Sequence, residues 1–271
     1  MSEKSDLQRF IEAKEASVKA LKKRKAWVPF AGRRPSFGEA LARGRAGRGL
    51  GLIAEYKRAS PSMGDINLAL APEEAALAFG AADCLSVLTE EAYFKGSLGF
   101  LGRVAFAGKP ILRKDFVFDP VQILETAETP ASAVLLMARL TPDLGLLKGL
   151  REAAESQGLE PVVEVFGLAE LEMAREAGAR LIQFNSRDLR SLAVDKESSF
   201  SLALAYPPAP GELYIAASGI NGPGQLADVA RKGFGAALVG TCLMSAPDPG
   251  EALESLLGGL APLAPGQNTT P

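Results

Sequence analysis

The chain has 271 residues, of which 47% are hydrophobic and 23% charged, so a large core is available and intrinsic disorder is disfavoured. Its 30 basic and 32 acidic residues leave a formal net charge of −2, which argues against a nucleic-acid-binding protein. The sequence contains no histidine, and this excludes Ser-His-Asp triads and most catalytic zinc sites. Acid–base chemistry must therefore use Lys, Glu, Asp, Arg or Tyr.

The two cysteines and the N-terminus indicate the compartment. Cys84 and Cys242 lie in apolar runs, and we expect them to be reduced, buried thiols. The N-terminus is charged throughout and lacks the apolar centre of a signal peptide, and no apolar stretch is long enough to span a bilayer. We expect a cytoplasmic protein that is a monomer or a weak homo-oligomer, with no nucleic-acid or membrane partner.

The first part of the chain predicts a helical extension, residues 1–49, that packs on the domain after it. Residues 5–25 predict an amphipathic helix. The apolar residues on one face of this helix are Leu7, Phe10, Ile11, Val18 and Leu21. Residues 26–49, rich in Gly and Pro, predict a loop with a short helix around Ser36–Arg43.

From residue 50 onward, short apolar runs alternate with helical segments. The predicted strands are Leu50–Tyr56, Asp83–Leu88, Pro110–Arg113, Ala133–Met137, Pro161–Val165, Leu181–Phe184, Leu213–Ala217 and Ala236–Val239. Uniformly apolar runs are typical of parallel strands buried on both faces, and eight β/α units indicate a single (β/α)8 TIM barrel over residues 50–260. The alternative is a doubly wound open sheet, but the glycine-rich loop that usually follows its first strand is absent. Residues 261–271 predict a flexible tail.

Charged and polar residues stand at the ends of several predicted strands, where barrels of this kind carry their active sites. Glu55 and Lys57 end the first strand, Lys114 the third, Glu164 the fifth and Asn185 the sixth. Glu164 lies among apolar residues, so its carboxylate needs a partner. Ionisable groups that converge from separate strands are hard to explain as core residues. They predict one reactive site at the mouth of the barrel.

Small residues after the last two strands predict a phosphate site. Ser218-Gly219 follows the seventh strand, and Gly240-Thr241 follows the eighth. Backbone N–H groups in these loops, together with a short helix N-terminus, are a common phosphate site in barrels. The sequence therefore predicts a small phosphorylated substrate.

With these motifs, the chain resembles the indole-3-glycerol-phosphate synthase family over about residues 7–257. The stretches that carry the resemblance are Ile53–Ser62, Leu85–Ser97, Pro110–Phe116 with Asp119, Pro120 and Gln122, Asn185–Leu189, Ser218–Ile220, and Leu238–Met244 with Ala246 and Pro247. The resemblance implies closure of the indole ring of 1-(2-carboxyphenylamino)-1-deoxyribulose 5-phosphate, with loss of carbon dioxide and water. It implies no metal and no organic cofactor.

The resemblance also implies roles for individual residues. Lys114 would be the acid at ring closure, and Glu55 and Glu164 would act as bases or stabilise the cationic intermediate. Lys57 would bridge the phosphate and the reacting centre and is a second candidate acid, with the split between the two lysines left open. Asn185 would orient hydroxyls or the carboxylate. The implied substrate-binding residues are Ser60 and Arg187, the apolar slot Phe94, Phe116 and Leu135, and the phosphate ligands Lys57, Ser218, Gly219, Gly240 and Thr241.

Three positions depart from the family pattern. The seventh strand ends Ala217-Ser218-Gly219 where relatives carry Glu-Ser-Gly, so one carboxylate is missing. Gln183-Phe184 stands where a Gly-Ile pair is commoner, and Phe166-Gly167 where a polar residue is common. A catalytically weakened paralogue that binds a phosphorylated anthranilate-type ligand therefore remains an alternative. The isomerase of the preceding pathway step is a third possibility, but Glu55-Tyr56-Lys57 and Arg113–Phe116 are not its pattern.

Overall fold

A computed structural model describes residues 6–141, 143–187 and 195–260 of the chain. Residues 188 and 189, the last two of the Asn185–Leu189 motif, lie outside the described residues, as does the predicted tail 261–271. Within the described ranges, no helix is both long and apolar enough to cross a membrane.

Eight parallel strands close into a barrel, which confirms the (β/α)8 prediction. In chain order they are β1 (Gly51–Tyr56), β2 (Cys84–Leu88), β3 (Ile111–Lys114), β4 (Ala133–Met137), β5 (Glu160–Val165), β6 (Leu181–Asn185), β7 (Leu213–Ala217) and β8 (Ala236–Val239). Each strand pairs with its neighbours in sequence, and β8 pairs with β1 to close the ring. The open-sheet alternative is therefore wrong.

Helices precede the barrel and connect its strands. They are α1 (Asp6–Leu21), α2 (Phe37–Arg48), α3 (Pro72–Ala78), α4 (Gly99–Val104), α5 (Pro120–Ala127), α6 (Leu144–Ser156), α7 (Leu168–Glu176), α8 (Lys196–Ala205), α9 (Pro223–Arg231), α10 (Thr241–Met244) and α11 (Pro249–Leu257). Side-chain caps begin several of them, such as Asp119 at α5, which accepts a hydrogen bond from the N–H of Val121. Such caps satisfy donors that the first helical turn leaves unpaired.

The strands have two buried faces, which explains their uniformly apolar sequences. One face fills the barrel interior, as Ile53, Leu112 and Val162 do. The other packs against the surrounding helices, as Leu52 and Val163 do. Because both faces exclude water, a polar side chain pointing inward must be paired or must border the cavity at the mouth.

The N-terminal helices differ in length from the prediction. Helix α1 ends at Leu21, before the basic run that the sequence pattern included. Helix α2 continues through Gly44 to Arg48 and ends at Gly49, whose φ of 85° is the left-handed conformation that glycine adopts without strain. Gly44 is tolerated in α2 because a β-carbon there would collide with the Asp83 carboxylate.

Two further features differ from the prediction. A short antiparallel hairpin, Ala59–Ser60 with Gly64–Asp65, follows β1, and strands of this length leave no hydrophobic pattern to detect. Both cysteines are free thiols, but only Cys84 is buried, inside the barrel, whereas Cys242 is half-buried in α10. Burial raises the pKa of both thiols, so neither is activated as a nucleophile.

Candidate active site

A cavity of about 360 Å³ lies at the carboxyl ends of the strands. Every residue that the sequence predicted for the site borders it. These residues are Glu55, Lys57, Ser60, Phe94, Lys114, Phe116, Leu135, Glu164, Asn185, Arg187, Ser218, Gly219, Gly240 and Thr241. Ala217, which the sequence analysis singled out as a departure from the family pattern, is also on the cavity wall. The individual roles of these residues remain predictions.

Glu55 and Lys57 form an ion pair at the end of β1. The Lys57 Nζ lies 3.1 Å from the Glu55 Oε1, and Ser86 on β2 donates its hydroxyl to the Glu55 Oε2 at 3.3 Å. Burial by itself raises the pKa of Glu55, but the positive charges of Lys57 and Lys114 and these hydrogen bonds outweigh it and lower the pKa. Glu55 is therefore an ionised carboxylate at neutral pH.

Gly240 leaves the space that Glu55 occupies. A β-carbon at position 240 would lie 2.7 Å from the Glu55 Oε1 and 3.0 Å from its Cβ, so the Glu55 side chain would have to shift. The predicted phosphate loop after β8 therefore has a second requirement for glycine, which is close approach of the β1 carboxylate. This requirement depends on the pairing of β8 with β1 and is not visible in the local sequence.

Lys114 ends β3, where it pairs in register with Leu88 on β2. Its side chain is partly exposed to the cavity, and among the described residues its ammonium makes no hydrogen bond or ion pair within 4.0 Å. Its charge nevertheless contributes to the lowered pKa of Glu55. Lys114 is thus a cation on the cavity wall with its three donors available to a ligand.

Glu164 and Gln183 lie side by side inside the barrel. They are register partners on β5 and β6, and both are buried. The Gln183 amide nitrogen donates a hydrogen bond to the Glu164 Oε2. The buried Glu164 carboxylate therefore has a neutral amide as its partner. That amide belongs to Gln183, which the sequence analysis singled out as a departure from the family pattern.

Asn185 and Ser218 connect β6 to the loop after β7. The Asn185 Oδ1 accepts a hydrogen bond from the Ser218 hydroxyl at 2.8 Å and another from the N–H of Arg187 at 3.0 Å. Ser218 has a φ of 72°, a left-handed conformation that costs energy for a residue with a β-carbon. This hydrogen bond helps to hold the strained loop in place at the cavity wall.

Lys196 was missed by the sequence analysis. It is the first residue of α8, borders the cavity, and donates from its Nζ to the carbonyl oxygen of Gly219 at 2.8 Å. It adds a positive charge to the loop that the sequence predicted to bind phosphate. In sequence it is far from any strand end, so the strand-end pattern could not identify it.

Phe10 was expected only as part of the apolar face of the first helix. In the structure it reaches the cavity and stacks on Phe116, with ring centroids 4.3 Å apart and planes 14° apart. The ring centroid of Phe94 lies 6.2 Å from that of Phe116. The predicted aromatic slot therefore has a wall supplied by α1 as well as by the barrel.

Asp115 attaches α1 to the barrel. Its buried carboxylate lies 2.8 Å from the Lys14 Nζ and accepts hydrogen bonds from Thr89 at 2.7 Å and Arg113 at 3.1 Å. Arg113 also contacts Glu125, at 2.8 Å. Burial raises the pKa of Asp115, but Arg113 and Lys14 outweigh that effect and the pKa is lowered. Arg113 and Asp115 thus form a buried network beside the cavity, and Lys114 between them in sequence faces the cavity.

Comparison with known proteins gives one consistent result. Residues 7–256 match the family model described as indole-3-glycerol phosphate synthase. An indole-3-glycerol phosphate synthase of Carboxydothermus hydrogenoformans is 43% identical over 82% of this chain and 84% of its own length. One from Methanothermobacter marburgensis is 37% identical over 97% of this chain and 95% of its own length. A crystal structure of 3-hexulose-6-phosphate synthase has a TM-score of 0.63 and 17% identity over 78% of this chain and all of its own, which shows a shared fold only.

Proposed function

The chain belongs to the indole-3-glycerol phosphate synthase family, and we propose that its barrel cavity carries out the family's reaction with Lys114 as the acid of ring closure. The enzyme is a carboxy-lyase of tryptophan biosynthesis. Its substrate is 1-(2-carboxyphenylamino)-1-deoxyribulose 5-phosphate and its product indole-3-glycerol phosphate. The observation that carries the assignment of the acid is the ammonium of Lys114, which makes no hydrogen bond or ion pair with any described residue and lies on the same cavity as the Glu55–Lys57 pair.

The proposed reaction begins with formation of a carbon–carbon bond. The ring carbon that bears the carboxylate attacks the ketone carbon, and Lys114 donates a proton to the ketone oxygen, which becomes a hydroxyl. The carboxylate then leaves as carbon dioxide, and its bonding electrons return to the ring. In the last step the hydroxyl leaves as water with a proton from Lys57, while a carboxylate removes a proton from the new ring.

Glu55 and Glu164 are the carboxylates proposed for this last step and for stabilising positive charge on the ring nitrogen. Glu55 is ionised and in contact with Lys57, so it suits the stabilising role and can hold the Lys57 proton in position. Glu164 is buried and bonded only to a neutral amide among the described residues, so it suits the role of base.

Substrate binding is divided between two sides of the cavity. We assign the anthranilate ring to the slot between Phe94, Phe116 and Leu135, where aromatic contacts would hold it. We assign the phosphate to a set of backbone and side-chain donors, which are Lys57, Ser218, Gly219, Gly240 and Thr241. Ser60, Asn185 and Arg187 would contact the polar groups between the two ends. Lys196 supports the phosphate assignment by adding charge beside Gly219.

A complementation experiment tests the proposal. In a tryptophan auxotroph that lacks the synthase, the chain should restore growth without tryptophan, and Lys114→Ala should not. A matched control is Lys148→Ala, since Lys148 is an exposed lysine on α6. Failure of the well-expressed parent chain to restore growth would contradict the proposal.

One observation favours a second candidate, a weakened paralogue that retains binding. Ala217 is on the cavity wall at the end of β7 and supplies no carboxylate there. Such a protein would bind the same class of phosphorylated anthranilate-type ligand but would fail the complementation test while showing affinity for substrate. We further propose that the protein acts in the cytoplasm as a monomer or a weak homo-oligomer, without a nucleic-acid partner.

A further inference from the structure

We propose that Gln183 is a positioning residue for Glu164, holding the carboxylate in the orientation in which it acts on the substrate. The inference rests on the proposed function, because it assumes that Glu164 takes part in the reaction. It concerns a residue that does not border the cavity and that the strand-end pattern does not identify.

Gln183 is fully buried, so its amide is unfavourable for stability unless it makes a hydrogen bond. Gln183 lies in the middle of β6 with no exposed surface, one level below Asn185 at the strand end. Its neighbours in register are Glu164 on β5 and Ile215 on β7. Side chains in the barrel interior below the mouth are otherwise mainly apolar, as Leu112 and Val162 are. An amide buried among them loses its hydrogen bonds to water and needs a protein partner.

The hydrogen bond that Gln183 makes is directed at the carboxylate. Its Nε2 donates to the Glu164 Oε2, and within the described residues this is the one hydrogen bond of Glu164, which has no cation within 4.0 Å. Among the described residues, the Oε1 of the same side chain is buried without a hydrogen-bond partner. A buried acceptor without a hydrogen bond is unfavourable. The arrangement therefore gives the Glu164 carboxylate its hydrogen bond while the Gln183 Oε1 lacks one.

Two consequences follow for the reaction. The bond fixes one oxygen of Glu164 and leaves its other oxygen for the cavity that Glu164 borders. An amide also matches both forms of a carboxyl group that exchanges a proton. The ionised form accepts from Nε2, and the protonated form can donate to Oε1, to which no other described residue donates a hydrogen bond. Gln183 can therefore keep Glu164 in place through a cycle of proton transfer.

The test compares four proteins, namely the parent, Gln183→Leu, Glu164→Gln and the double variant, by steady-state kinetics with the substrate. Gln183→Leu keeps a side chain of similar size and removes the amide, and we expect kcat to fall about tenfold, equivalent to about 1.4 kcal/mol of barrier, with KM changed less than about threefold. In a Glu164→Gln background the same substitution should cause no further loss of kcat, because Gln183 acts through Glu164. An additive loss, or a kcat of Gln183→Leu equal to that of the parent, would overturn the proposal.

A second variant provides a readout that a purely structural role would not change. Gln183→Glu sets two carboxylates side by side, so one of them must hold a proton for the bond to form. Its kcat relative to the parent should be lowest at about pH 8 and should recover as the pH is lowered to about 6, because a protonated carboxyl can donate as the amide does. A pH-independent ratio would contradict the proposal.

The outcomes also separate this inference from the proposed function. A parent chain that does not turn over the substrate would refute the function itself. A parent that is active and a Gln183→Leu variant that is equally active would refute the inference alone. Circular dichroism and thermal unfolding of each variant check that it is folded, and Gln183→Glu supplies the test if Gln183→Leu is not.

Discussion

At the scale of single residues, the charged groups of the cavity differ in the number of hydrogen bonds and ion pairs that they make with other residues. Glu55 is bonded to Lys57 and Ser86, and Glu164 to Gln183. Lys114 has no such bond within the described residues. A catalytic proton must be transferable to the substrate, so the group with the fewest protein partners is the best candidate for the acid.

Replacing Lys114 by alanine should therefore affect the chemical step most. We expect kcat to fall by about 10² to 10⁴, the usual contribution of a positioned proton donor, while KM changes little. Steady-state kinetics on Lys114→Ala beside the control Lys148→Ala measures both constants. A near-normal kcat in Lys114→Ala would remove this lysine from the mechanism.

Ala217 is the position at which the sequence analysis expects a carboxylate of the family pattern and finds none. It is buried at the end of β7 beside Asn185, its register partner, and it offers no charge. Ala217→Glu should raise kcat and leave KM nearly unchanged, because the added carboxylate would stabilise positive charge that develops only in the transition state. A tenfold gain would correspond to about 1.4 kcal/mol of barrier.

The control for this prediction is Ala217→Gln, which adds the same volume without the charge. If Glu55 already does the work of the missing carboxylate, the added glutamate would only crowd the cavity. An unchanged or lower kcat in Ala217→Glu would then show that the absent carboxylate does not limit the enzyme.

At the scale of elements, α1 is part of the site although it precedes the barrel. Phe10, on the apolar face of α1, stacks on Phe116. Lys14 of the same helix pairs with the buried Asp115 on the loop after β3. Stacking and ion pairing thus both attach α1 to the loop that directly follows Lys114. The helix is held where it forms a wall of the aromatic slot.

Lys14→Met should loosen this attachment. The substitution leaves Asp115 buried with Arg113 as its remaining cation, and we expect the free energy of unfolding at pH 7 to fall by about 1–3 kcal/mol. Lys22→Met is the control, because Lys22 pairs with Asp119 at an exposed position and such pairs contribute at most about 1 kcal/mol. Urea unfolding of both variants measures the difference. Equal losses would contradict the special role of the Lys14 pair.

The pH dependence of the same pair has a definite sign. The folded-state pKa of Asp115 is lowered, so its ion pairs stabilise the fold fully above the unfolded value of about 4 and progressively less as the pH falls through the folded value. The stability difference between the parent and Lys14→Met should therefore be constant near neutral pH and shrink in acid below about pH 4.

At the scale of the whole molecule, the loops after β7 and β8 and the residues of β1 meet because the barrel closes. An anion bound between Ser218-Gly219 and Gly240-Thr241 would contact both loops at once and stabilise the native state by mass action. Inorganic phosphate at about 100 times its Kd should add about 2.7 kcal/mol to the free energy of unfolding and raise Tm by several degrees.

Thermal unfolding in phosphate and in chloride of equal ionic strength measures this effect. In Thr241→Glu, which sets a negative charge at the proposed site, the Tm increase should disappear. A Tm increase of the same size in Thr241→Glu would show that the anion binds elsewhere.

The sequence by itself determined that the chain forms a barrel, and it predicted the end of the barrel at which the site lies. Uniform apolar runs such as Ala133–Met137 mark strands buried on both faces, and charges such as Lys114 stand where those runs end. These signals are local, because hydrophobicity along the chain reports burial directly. The bounds of α1 and α2 differed from the prediction, and the hairpin after β1 had no signal at all.

Only the tertiary structure decided which of these side chains meet. Gln183 faces Glu164, Gly240 makes room for Glu55, and Phe10 stacks on Phe116 because of strand register, barrel closure and the position at which α1 packs. Each partner is distant in sequence, and a shift of one residue in register would turn a different side chain inward. Such pairings are properties of the closed barrel, so no segment of the sequence contains the information by itself.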